Sequence, residues 1–102
     1  MDDDSLLGKV VHSKSGRDKG KYFIIIGIID DEYVYISDGD LRKIDRPKKK
    51  KIKHLSFTNI LAEDIRSAIL SDGKISNSKI RKFLQVEDII EEVWLPLCQK
   101  MI

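Results

Sequence analysis

Four cations fall between positions 14 and 21, Lys14, Arg17, Lys19 and Lys21, and two glycines, Gly16 and Gly20, punctuate them. Lysine and arginine offer positive charge to phosphate oxygens, and glycine lets the backbone turn its N–H groups outward toward an anion. A second basic run follows at Lys48, Lys49, Lys50 and Lys51, with Arg42, Lys43 and Arg46 ahead of it and Lys53 behind. The chemistry available to such groups is the binding of a polyanion. The plain structural alternatives are that the glycines only shape a turn and that the lysine run is a solvated loop. Tyr22 flanks the first loop, while Tyr33 and Tyr35 could offer rings to bases or pack against a neighbouring element.

Catalysis finds little support in the same residues. Asp30 with Asp31, and Asp38 with Asp40, are carboxylate pairs in turn sequences, where capping and turn closure account for them. There is no nucleotide loop with Walker spacing and no nucleophile elbow. His12, His54 and Cys98 have no zinc-ligand spacing, and a lone cysteine cannot form an intramolecular disulfide. The expectation is a reduced, metal-free, non-enzymatic protein with no cofactor and no small-molecule substrate.

The elements that must position these residues can be read around them. Tyr22 to Ile29 is β-branched and aromatic and reads as a buried strand, with Gly27 marking a bulge. Gly8 to Ser13 reads as the strand before the basic loop. Asp30-Asp31-Glu32 turns the chain into Tyr33 to Ile36, where alternation puts Val34 and Ile36 on one face and the tyrosines on the other. Leu41 to Ile44 suggests a short strand, Arg46 to Lys51 a mobile loop, and Ile52 to Phe57 a last strand with Leu55 and Phe57 inward. Five short strands of this kind imply a small, bent all-β barrel.

Beyond Phe57 the period becomes helical. Ile60, Leu61, Ile65, Ala68 and Ile69 outline one helix capped at Thr58 or Asn59, and Ser76 is placed to cap a second with Ile75 and Ile80 as a staple. A third segment spans Asp88 to Leu95. The organisation expected is an acidic flexible stretch at 1–7, a barrel at 8–57 and a helical extension at 58–102. Charge follows the same division: 13 Lys plus Arg against 7 Asp plus Glu from Gly8 to Phe57, and 6 against 7 from Thr58 onward, within a chain of 102 residues and net charge +2. With no run of about eighteen apolar residues and no signal-peptide pattern, a cytoplasmic location and no membrane partner are expected.

Gly8-Lys9-Val10-Val11 followed by Ser13-Lys14-Ser15-Gly16-Arg17-Asp18-Lys19-Gly20-Lys21-Tyr22-Phe23 resembles the KOW motif of ribosomal proteins and transcription elongation factors. Asp38-Gly39-Asp40-Leu41-Arg42-Lys43, Arg46-Pro47-Lys48-Lys49-Lys50 and Lys53-His54-Leu55 extend the likeness to KOW-containing bacterial relatives of archaeal and eukaryotic large-subunit ribosomal proteins. The resemblance covers about residues 8 to 57. It implies an SH3-like barrel of about five strands, here followed by two or three short helices, and binding to RNA, commonly ribosomal.

The RNA-contacting residues expected are Lys14, Gly16, Arg17, Lys19, Gly20, Lys21 and Tyr22 from the first loop, joined by Arg42, Lys43, Arg46, Lys48, Lys49, Lys50, Lys51 and Lys53. The competing expectation is a protein-interaction module docking on a ribosomal or transcription-machinery protein, with Trp94, Leu95, Leu97 and Ile102 as apolar anchors. A weaker possibility is a helix-turn-helix using Arg81 and Lys82.

Overall fold

The computed structural model describes residues 3–16, 19–71 and 74–85. A short 3-10 turn, Asp3–Leu6, leads into five strands: β1 Lys9–Ser13, β2 Tyr22–Ile28, β3 Tyr33–Ser37, β4 Lys48–Lys51 and β5 Leu55–Leu61. Helix α1 follows at Glu63–Ser71, and a second helix, α2, occupies 77–85. The strands form one antiparallel sheet in the order β4-β3-β2-β1-β5. Its two edge strands are joined by the 3-10 turn Ile52–His54, and no β4–β5 ladder is present among the described residues.

Period-two alternation builds two cores, one on each side of this sheet. Val11 pairs with Phe23 in register, and with Leu7, Ile25, Val34, Ile36 and Leu55 they form the inner cluster. Val10 pairs with Ile24 on the opposite face, where Ala62, Ile65, Ile80 and Leu84 bring both helices against the sheet. The helices therefore cover part of this face and share a core with the sheet. The bulge expected at Gly27 is present as a register shift between Ile25 and Gly27, which returns Ile28 to the inner core.

Three local expectations are corrected. Residues 41–44 form bends and turns in place of a strand, because Asp38 Oδ1 accepts the Asp40 and Arg42 N–H groups and the Ser37 hydroxyl donates to the Arg42 carbonyl at 2.6 Å. Lys48–Lys51, expected as a mobile loop, is strand β4, pairing Lys48 with Ile36, Lys49 with Tyr35, Lys50 with Val34 and Lys51 with Tyr33. Alternation sends successive lysines to opposite faces, which dilutes their repulsion, and a lysine-rich edge also discourages pairing with another chain.

The third correction concerns the strand-to-helix switch. The chain stays extended to Leu61, and Thr58 caps no helix: its hydroxyl donates to the Val10 carbonyl at 2.8 Å and accepts the Ile60 N–H at 3.1 Å. Those bonds sit at the irregularity between Lys9 and Val11, so Thr58 stabilises a bulge. Leu55 is buried as expected, whereas Phe57 is 40% exposed. Helix α2 begins as read, with Ser76 Oγ accepting the Lys79 N–H at 3.1 Å.

Candidate nucleic-acid interface

Lys50 organises the basic surface. Its backbone pairs with Val34 over the inner core, and its side chain is 8% exposed. The ammonium crosses to the first loop and donates to the Ser15 carbonyl at 3.0 Å, which also accepts the Ser13 hydroxyl at 3.0 Å. Two basic segments far apart in the chain are thereby brought to one end of the sheet. Gly16 lies beside the same ammonium, 3.4 Å from the position a Cβ would take.

The loop itself is a tight extension of the β1–β2 hairpin. Ser13 N–H donates to the Lys21 carbonyl, Gly20 N–H to the Ser13 carbonyl and Lys19 N–H to the Gly16 carbonyl. A further bond, from Lys14 N–H to the His54 carbonyl at 2.9 Å, ties the loop to the turn before β5. Lys14, Gly16, Lys19, Gly20 and Lys21 are all exposed and open to solvent. Arg17 lies outside the described residues.

The remaining candidates divide. Lys43, Arg46, Lys49 and Lys53 are exposed, and Lys48, Lys51 and Arg42 are half-buried. Arg42 serves the 37–42 turn through its backbone, its carbonyl accepting from Asp38 and Gly39. Lys50 is a strap that holds the loop. Tyr22 is half-buried against the second core, its ring 4.9 Å from that of His12 in a tilted contact.

Two features were missed by reasoning from sequence. On the outer face of the sheet, the ammonium groups of Lys49 and Lys51 lie 4.7 and 5.6 Å from the centre of the Tyr33 ring. The alternation that separates the tyrosines from Val34 could have revealed this, once Lys48–Lys51 was known to be a strand. In addition, a cavity of about 350 Å³ opens between the first hairpin, the 37–42 turn and α2, lined by Lys21, Tyr22, Asp38, Asp40, Leu41 and Arg81 among others. Its two carboxylates oppose the basic residues there.

Arg81 belongs to that junction. Its guanidinium donates to the Gly39 carbonyl at 2.7 Å and to the Ser78 hydroxyl at 3.3 Å, while Ile44 N–H donates to Asn77 Oδ1 at 2.8 Å. Arg81 thus docks α2 onto the 37–44 segment. Trp94, Leu95, Leu97, Cys98, Ile102 and the helix expected at 88–95 lie outside the described residues. Among the described residues no helix is long and apolar enough to cross a membrane.

Comparison with known proteins adds two relatives. The chain is 25% identical over 72 residues, 71% of its length, to YbzG of Bacillus subtilis (strain 168), a protein named for a proposed ribosome-binding role, and the match spans 97% of that protein. It is 29% identical over 84 residues, 81% of its length, to endonuclease MutS2 of Lactobacillus gasseri, of which the match spans 11%. No family model matches.

Proposed function

We propose that the chain is a non-catalytic, SH3-like barrel of KOW type that binds structured RNA, ribosomal RNA foremost, through its first hairpin loop and the lysines of β4. The observation that carries this reading is the Lys50 to Ser15 bond, which joins the two basic segments across 35 residues of sequence. The element order supports it: a four-stranded meander whose fifth strand, reached through a 3-10 turn, returns to pair with the first. The ribosome-binding role in the name of the Bacillus relative supports a ribosomal partner. The likeness to the endonuclease concerns a small part of that protein and is read as a shared binding element, since the sequence carries no recognisable catalytic pattern.

Binding relies on phosphate positions more than on base identity, because the contacting groups are mostly lysines acting as point charges. Titration of ribosomal RNA binding against salt tests the reading. Replacing Lys14, Lys19, Lys21, Lys48, Lys49 and Lys51 by alanine should weaken binding and flatten the log–log slope by roughly 0.7 to 0.9 for each phosphate no longer neutralised. Unchanged affinity and slope would overturn it.

A further inference from the structure

The outer face of the sheet is only partly covered. The helices pack over Val10 and Ile24, while the β3–β4 end presents Tyr33, Tyr35, Lys49 and Lys51 on one side. Tyr35 lies across the β2 bulge at Gly27, its Cδ2 atom 3.3 Å from where a Cβ would stand on that glycine. The missing side chain lets the ring approach the β2 backbone, and Tyr35 remains 40% exposed. Lys49 is its direct partner in register, and on this face directly paired residues stand close enough to act together.

Resting on the RNA-binding reading above, we infer that this face is a stacking platform for an unpaired nucleotide, with the base on Tyr35 and the adjoining phosphate on Lys49. Chemical complementarity selects the occupant. An exposed aromatic ring paired in register with a lysine matches a base joined to a phosphate, and stacking accepts any base because every base has a π-face. The Tyr33 ring lies under Lys49 and Lys51, so Tyr35 is the ring left for stacking. Duplex RNA cannot use the platform, since its bases are already stacked.

The test uses the full chain with two labelled probes, a single-stranded RNA octamer and a blunt RNA duplex. Tyr35→Leu should weaken octamer binding about five- to a hundredfold, Tyr35→Phe should retain it within about twofold, and both should leave duplex binding unchanged. Lys49→Ala should lower the octamer's salt slope by roughly 0.7. Wild-type protein that binds neither RNA would overturn both this inference and the RNA-binding reading. Loop-dependent duplex binding together with octamer affinity indifferent to Tyr35→Leu would overturn the platform alone. So would octamer affinity unaltered by Tyr35→Leu accompanied by a nuclease-resistant protein partner that the same substitution releases, which would assign the face to protein.

Discussion

The Nζ atom of Lys50 and the carbonyl oxygen of Ser15 lie 3.0 Å apart, joining an edge strand to the loop between the first two strands. A lysine so largely buried is costly unless its donors are used, and this bond uses one while fixing the loop backbone. Lys50→Met keeps the apolar stem and removes the donor. It should cost about 1.5–3 kcal/mol in denaturant unfolding and speed hydrogen exchange at the Gly20 amide. On the proposed function, RNA affinity should fall as well, although every exposed lysine of the surface is retained. An unchanged exchange rate would show that the loop holds its shape without the strap.

Gly39 and Gly20 make a second pair for comparison. Both have positive φ, 75° and 88°, but a Cβ on Gly39 would collide with the Asn77 carbonyl oxygen, while one on Gly20 would meet nothing within 4 Å. Gly20→Ala should cost about 1–2 kcal/mol from backbone strain alone. Gly39→Ala adds a clash with the α2 backbone that no rotamer relieves, for a total of about 2–5 kcal/mol. Melting temperatures of the two variants check the ranking, and equal losses would contradict the close approach of the 37–42 turn to α2.

How much could be read beforehand follows from which forces act locally. β1, β2 and β3 were legible because β-branched and aromatic residues alternate there, and the Gly27 bulge because a glycine interrupts a strand pattern. β4 was not: four consecutive lysines carry no strand signal, and their conformation depends on pairing with Tyr33 to Ile36 and on the Ser15 acceptor. Ile60 and Leu61 fit a helical stripe with Ile65 as well as they fit a strand. The Thr58 hydroxyl bond to Val10 decides between them, and it is a contact between elements. At the candidate site the exposed loop cations were legible from type and spacing. The roles of Lys50 as a strap and of Arg81 as a dock required the distant carbonyls of Ser15 and Gly39.

The start of α2 separates a local cap from a tertiary one. Ser76 Oγ accepts the Lys79 N–H within the helix, whereas Asn77 Oδ1 accepts the Ile44 N–H from the preceding turn. Ser76→Ala should cost about 1 kcal/mol. Asn77→Ala leaves a partly buried N–H without its acceptor and should cost about 1–3 kcal/mol. Amide exchange tells them apart: Ile44 should be deprotected in the Asn77 variant and protected in the Ser76 variant.

Ile80 tests whether the helices and the sheet unfold together. Its side chain is fully buried in the cluster that joins Val10 and Ile24 of the sheet to Ala62, Ile65 and Leu84. Ile80→Ala removes methylenes from that shared layer and should cost about 2–5 kcal/mol, depending on how far the surrounding side chains collapse into the space. Because the deleted atoms pack against both layers, tyrosine fluorescence from the sheet and helical circular dichroism should shift to lower denaturant by the same amount, in one transition. Two separated transitions, with the tyrosine signal unmoved, would mean that the sheet stands without the helices. The outer cluster would then be a docking contact added to an independent sheet.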